Sequence, residues 1–335
     1  MSGAGDERRV MNGAAESARI VRDLAELRGT GPYVVTIGRF DGVHLGHRHL
    51  IDQTVADARA QGVRALAITF EPHPEQIFRP DAPLQRLTTP AAKAALLAAS
   101  GVDAVAILPF SAEFARQTAE EFVAVLVAAT GLRALWIGAD FALGHKRGGN
   151  ADRLTELGQE AGFAVHTVER IRLHGTEMIS ATNIRRHIVA GNVALAAQLL
   201  GRPYALVGTV VHGAKRGRTI GYPTANLDQA PELIVPPNGI YATTVSVADM
   251  VEDHAAMTSV GVRPVFDNGE RQVEAHLLDW SGDLYGRTLC LNFLEWLRPE
   301  ENFPSVEALI EQMARDGVAT REVIAKRHAD EKAIL

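Results

Sequence analysis

The sequence predicts two domains of different class: an α/β domain on a parallel sheet with helices on both faces, then a small antiparallel β-barrel with a C-terminal helix. Three observations carry this. The chain has 335 residues, and a single core rarely grows beyond about 250–300 residues. In the first part, short apolar runs alternate with stretches of helical period, the pattern of a parallel sheet. After Tyr204 the pattern changes to β runs separated by Gly, Pro and Asn.

Residues 1–14 are small and polar and are expected to be mobile. Ala18 to Leu27 reads as a short helix or an edge segment. Strands are expected at Val34–Ile37, Val63–Phe70, Val102–Leu108, Leu132–Ile137 and Phe163–Val168, with helices such as 47–60, Pro90–Ser100 and Ala119–Thr130 between them. Ala194–Gly201 reads as a helix stopped by Gly201-Arg202-Pro203. Later strands are expected at Ala205–Val211, Ile240–Val247, Val273–Trp280 and Gly286–Phe293, and a helix at Ser305–Arg315. The expected division is a first domain over 15–188, a linker helix over 189–203 and a second domain over 204–335.

Lys and Arg total 34 against 40 Asp and Glu, a net charge of −6, so nothing global points to nucleic acid. An anionic substrate must therefore meet local basic groups. Cys290 is the only cysteine, which excludes an intrachain disulfide and a cysteine-built zinc site; its apolar surroundings suit a buried, inert thiol. No apolar run reaches the roughly 18 residues a membrane helix needs. The N-terminus, with Asp6, Glu7, Arg8 and Arg9, lacks a signal-peptide core. A cytoplasmic protein acting on small molecules is expected, a monomer or weak homo-oligomer without nucleic-acid or membrane partners.

The decapeptide Gly38-Arg39-Phe40-Asp41-Gly42-Val43-His44-Leu45-Gly46-His47 joins an expected strand to an expected helix. Glycine lets backbone approach a ligand, and a helix N-terminus offers free N–H groups to phosphate. His44 and His47 add two imidazole donors for charge that builds up during phosphate transfer. A lone histidine is ordinarily a surface or capping residue; a pair flanking glycine at such a junction is more specific. Further on, Ser180, Thr182 and Arg185 in Ile179-Ser180-Ala181-Thr182-Asn183-Ile184-Arg185 place hydroxyls and a guanidinium at a helix start, with Ser180 as the expected N-cap.

The second domain carries a basic glycine loop, Gly213-Ala214-Lys215-Arg216-Gly217-Arg218-Thr219-Ile220-Gly221, before Tyr222-Pro223-Thr224-Ala225-Asn226. Lys215, Arg216 and Arg218 suit phosphates. Thr224 and Asn226 offer hard oxygens of the kind Mg²⁺ accepts. In Val273-Glu274-Ala275-His276-Leu277-Leu278, alternation puts Val273, Ala275 and Leu277 on one face and Glu274, His276 and Leu278 on the other. Glu274 fits a general base, although position alone equally fits an exposed or salt-bridged residue.

These segments resemble the prokaryotic bifunctional riboflavin kinase/FAD synthetase family. The decapeptide is similar to its HxGH nucleotidyltransferase signature, Thr69-Phe70-Glu71-Pro72-His73-Pro74 to its FxPHP segment, and Gly138-Ala139-Asp140-Phe141 with Gly144–Gly149 to its glycine-rich loop. The second domain resembles the kinase domain through Pro-Thr-Ala-Asn, Pro237–Tyr241, Ser259–Phe266, Val273–Asp279, Leu284–Gly286 and Leu297–Glu300. The resemblance implies a Rossmann-like nucleotidyltransferase domain followed by a riboflavin kinase barrel. It implies ATP held by Gly38, Asp41, Ser180, Thr182 and Arg185 in the first domain, and by Gly213, Lys215, Arg218, Thr224 and Asn226 in the second. It implies flavin contacts from Phe70, Pro72, His73, Asp140, Phe141 and Arg298. Magnesium accompanies ATP at Thr224 and Asn226, Glu274 acts as base, and riboflavin, FMN and FAD are substrates or products. Arg39, Ala181 and Ala142-Leu143 depart from the family pattern. A kinase whose first domain is inactive or retargeted is therefore an open alternative, as is a flavin-binding protein without turnover.

Overall fold

The structure is a computed structural model, describing residues 18–213, 216–247, 250, 253–262 and 271–334. The expected mobility of residues 1–14, and the readings of Ala214, Lys215 and Arg263–Phe266, lie outside the described residues. The chain divides into two compact units. Among the described residues, 18–84 and 90–180 form the first; residues 85–89 and those from 181 onward form the second.

The first unit runs β1 (Arg19–Val21), a 3-10 turn (Leu24–Leu27), β2 (Tyr33–Ile37), α1 (Leu45–Ala60), β3 (Arg64–Glu71), α2 (Pro74–Phe78), α3 (Pro90–Ala98), β4 (Ala104–Pro109), α4 (Ala119–Thr130), β5 (Ala134–Gly138), α5 (Ala151–Ala161), β6 (Ala164–Val168), β7 (Arg172–Leu173) and β8 (Glu177–Met178). Six strands form one sheet in the order β1-β4-β3-β2-β5-β6, every pair parallel. Continuous apolar strands belong in such a sheet because both faces are covered. Val35, Ile37, Leu66, Ile68, Leu135 and Ile137 fill one core. Val34, Ala65, Ala67, Val105 and Ala134 fill the other. The segment from Ala18 resolves into an edge strand and a 3-10 turn, β1 pairing with β4.

The strand order reverses between β2 and β5, the two neighbours from which the sheet grows in opposite directions. Ligands of open parallel sheets bind outside the carboxyl ends at such a switch point. The Gly38 turn follows β2, and Gly138–Phe141 follows β5.

The second unit begins with α6 (Ala181–Val189) and α7 (Val193–Leu200). Gly201 ends α7 in the left-handed conformation, as its sequence suggests. These helices group with the barrel because α7 packs on β9 (Tyr204–Val211) and β14 (Thr288–Arg298), and α6 on α7. The division by packing thus comes before the change of residue pattern at Tyr204. After β9 come the short α8 (Arg216–Thr219), β10 (Ala225–Gln229), β11 (Gly239–Val247), β12 (His254–Val262) and β13 (Arg271–Leu277). The barrel closes antiparallel in the order β10-β13-β12-β11-β14-β9.

The last helix, α9 (Val306–Ile334), is far longer than the expected Ser305–Arg315. Asp316-Gly317 reads as a stop, yet Asp316 is buried and accepts three hydrogen bonds from Arg298, two from Nε at 3.0 and 3.1 Å and one from Nη2 at 2.8 Å. A Cβ on Gly317 would lie 3.8 Å from both Leu278 and Met257, so the helix crosses the barrel closely here. Removing one partner of a buried ion pair strands the other charge. Asp316→Ala is therefore expected to destabilise the second unit by about 3 kcal/mol, read by urea unfolding.

Candidate active sites

In the first unit, the turn after β2 is held tightly. Phe40 is fully buried in a left-handed conformation, φ 50°, and Asp41 is buried in the one-turn helix that follows. His44 is the N-cap of α1: its Nδ1 accepts the His47 amide N–H at 3.3 Å. A neutral His44 then carries its proton on Nε2, as a donor for a ligand. The two imidazoles stack, with centroids 3.6 Å apart and planes 15° from parallel. The Phe40 ring and the His47 ring meet edge-on at 5.2 Å. Gly46 sits tightly between them. A Cβ there would lie 3.2 Å from the His44 ring and 3.6 Å from the Ile179 carbonyl oxygen, which also shows the chain leading to Ser180 passing beside this turn. Ser180 is half-buried directly before α6, and Thr182 is exposed on that helix. Arg185, also on α6, donates from Nε to the Gln85 carbonyl at 2.6 Å.

Arg39 departs from the family pattern. Its exposed guanidinium meets Glu75 at 3.4 Å. Its carbonyl accepts from Thr69 Oγ1 at 3.1 Å. Leu143, another departure, packs against the core with Phe141.

Phe70, at the end of β3, lies 5.5 Å from Phe110 and 5.7 Å from Phe114. Phe114 and Pro109 help to line an adjoining open cleft of about 670 Å³, together with Glu113, Arg116, Gln117 and Glu121. Sequence reasoning found Phe70 and missed Phe110 and Phe114. Their signal was the position of Phe110 just past β4, with Phe114 one turn on. His73 is buried and caps α2, its Nδ1 accepting the Glu75 N–H at 3.3 Å. Pro72 precedes this cap.

Asp140 sits after β5, paired with Arg170, a residue the sequence did not single out. Hydrogen bonding and charge from Arg170 hold the Asp140 carboxyl below its ordinary range. Arg147 Nη2 also donates to the Asp140 carbonyl at 2.9 Å. In Arg170→Gln, the Asp140 carboxyl is expected to titrate at higher pH than in the parent chain, an NMR-observable shift. A group depressed in the folded state stabilises it above the unfolded pKa, and that contribution fades as pH falls through the folded pKa. Both side chains are largely exposed, so the stability at stake is small.

In the barrel, Asn226 stands directly opposite Glu274, and Ala225 opposite Ala275. Thr224 Oγ1 donates to Glu274 Oε2 at 3.0 Å. Val273, Ala275 and Leu277 point inward and are buried, whereas Glu274 and His276 are half-buried on the other face. The alternation ends at Leu278, which is buried, not on the Glu274 face's exposed side, because the strand stops at Leu277. His276 Nδ1 bonds the Pro223 carbonyl at 2.8 Å, so this nitrogen carries the proton. Gly213 adjoins Asn226; a Cβ there would fall 2.3 Å from Asn226 Nδ2. Thr224, Asn226, Glu274 and Gly213 are thus brought together. Arg218 is exposed on α8. Arg298 is engaged with Asp316 and donates to the Pro299 carbonyl at 2.9 Å.

Two family models match the chain: FAD synthetase over residues 28–183 and riboflavin kinase over residues 200–324. A bifunctional riboflavin kinase/FMN adenylyltransferase of Pseudomonas fluorescens is 37% identical over 310 residues, covering 92% of this chain and 98% of that protein. A protein of the same description from Escherichia coli (strain K12) is 38% identical over 291 residues, covering 86% and 92%. A crystal structure described as a macrolide-efflux protein from Streptococcus pneumoniae superposes with a TM-score of 0.82 at 32% identity, covering 91% of this chain and 98% of that one. Among the described residues, no helix is long and apolar enough to cross a membrane. With both modules matched in order and the relatives covered almost end to end, the chain belongs to the bifunctional riboflavin kinase/FMN adenylyltransferase family.

Proposed function

We propose that the barrel transfers the γ-phosphoryl group of ATP to the terminal ribityl hydroxyl of riboflavin, giving FMN, and that the first unit transfers AMP from a second ATP to FMN, giving FAD and pyrophosphate. The observation that carries the kinase half is the Thr224–Glu274–Asn226 constellation across β10 and β13. Glu274 takes the proton of the attacking hydroxyl as its oxygen bonds to the γ-phosphorus. Gly213 lets the loop close against Asn226, and Arg218 with Lys215 is assigned to the phosphates. The donor chemistry fits magnesium. Thr224 spends its proton on Glu274 and keeps oxygen lone pairs, Asn226 adds an amide oxygen, and hard oxygens of this kind with ATP phosphates suffice for Mg²⁺. When bound, magnesium neutralises the phosphate oxygens around the transferring group.

For adenylyl transfer, a phosphate oxygen of FMN attacks the α-phosphorus, the α–β bridging bond breaks and pyrophosphate leaves. The attacking phosphate is already anionic, so no general base is needed. Catalysis rests on positioning and on charge stabilisation by the α1 N-terminus, His44 Nε2–H and His47. Ser180 is assigned to the phosphates, and Phe70 with its aromatic neighbours to the flavin ring. Arg39 turning outward to Glu75 supports an active site that tolerates its departures. The protein is proposed to act in the cytoplasm, as a monomer or weak homo-oligomer, releasing and rebinding FMN between sites.

Labelled ATP tests the scheme. Label from the γ-phosphate should enter FMN and persist in FAD. Label from the α-phosphate should enter FAD alone. Entry of γ-label without any α-label in flavin would sink the transferase half.

A further inference from the structure

Lys93 belongs to no motif, and its surroundings in α3 are alanine and leucine: Ala92, Ala94, Ala95 and Leu97 are buried beside it. The lysine is itself only 4% exposed. An ammonium is kept in such a place only when polar partners replace water. Those partners come from two loops. Nζ donates to the Phe70 carbonyl at 3.0 Å and lies 3.6 Å from Glu71 Oε2, both at the end of β3. It also reaches the Arg39 carbonyl at 3.5 Å, in the turn that carries His44 and His47. Thr69 Oγ1 bonds the same Arg39 carbonyl. One buried cation therefore joins the turn assigned to the nucleotide with the loop assigned to the flavin, beneath the carboxyl ends of two adjacent strands.

We propose that Lys93 is a positioning residue for adenylyl transfer, locking the His44–His47 turn and the Phe70–His73 loop into one rigid piece so that the attacking phosphate and the α-phosphorus line up. The proposal rests on the adenylyl-transfer reading of the first unit. In-line displacement is sensitive to alignment, and a misplacement of about 1 Å costs on the order of 100-fold in rate. Either loop alone still offers its own ligand contacts, so loss of the tie should appear in turnover ahead of binding.

The test uses the full chain carrying Lys93→Met or Lys93→Gln, assayed for FAD from FMN and ATP below the thermal transition of each variant. The expected result for Lys93→Met is a kcat lower by about 100-fold, KM values for ATP and FMN within about threefold, and an unchanged riboflavin kinase rate in the same tube. Lys93→Gln keeps a neutral amide NH2 donor without the charge and should fall in between; should Lys93→Met fail to fold, the same kcat-against-KM split is read from it. Wild-type kcat in either folded variant, or a loss fully accounted for by the unfolded fraction, overturns the proposal. If the parent chain makes no FAD, the reading of the first unit fails instead, which keeps the two failures apart.

Discussion

Glu274→Gln is expected to slow riboflavin phosphorylation by about 10²–10⁴-fold while leaving conversion of FMN to FAD intact. The substitution preserves volume, and the amide oxygen still accepts from the Thr224 hydroxyl, whose bond to Glu274 measures 3.0 Å in the parent chain. What it removes is the carboxylate able to take a proton. The strand around it is anchored by Val273 and Ala275 inside the barrel, so the substitution leaves the fold in place. Coupled assays with riboflavin and with FMN as separate substrates check this. A kinase rate within tenfold of the parent would show that Glu274 holds Thr224 without acting as base.

The complementary variant, His44→Asn with His47→Asn, should lose FMN adenylylation by about 10³-fold or more, since removing one preorganised donor to a transition-state oxygen typically costs about 10²–10³. Asparagine is chosen because His44 caps α1 through Nδ1, and Asn is among the best N-caps. Alanine would add about 1 kcal/mol of lost capping and confuse stability with chemistry. The stacked pair shares one turn, so the two losses should not add fully. Riboflavin phosphorylation in the same preparation should be unchanged. FAD formation within tenfold of the parent would remove both histidines from the mechanism.

The sheet of the first unit was legible because its strands, buried on both faces, read as short apolar runs such as Ala104–Leu108. Strand β12 was not. Its sequence, His254–Val262, mixes Ala, Ser and Gly with Val and Thr and takes its β conformation from the neighbours it pairs with. Strand β10 was hidden because Ala225 and Asn226 follow directly on a glycine loop and Pro223, yet both already pair with β13. In the sites, residue types were legible and partners were not. Nothing in the spacing tells that Thr224 reaches Glu274, or that Asp140 is paired 30 residues away with Arg170. Arg298 and His73 are expected as flavin contacts on resemblance alone; their protein partners, Asp316 for one and the Glu75 N–H for the other, were not legible in the sequence. Lys93 was invisible, because a lysine in an alanine-rich helix looks like solvent-facing surface until the fold buries it.

The central claim is that one chain carries two consecutive flavin-modifying activities. It is tested most directly by incubating the pure protein with riboflavin, ATP and magnesium and separating the flavins by chromatography over time. The account predicts FMN without a lag, followed by FAD at the expense of FMN. FMN that accumulates with no FAD under excess ATP would contradict it.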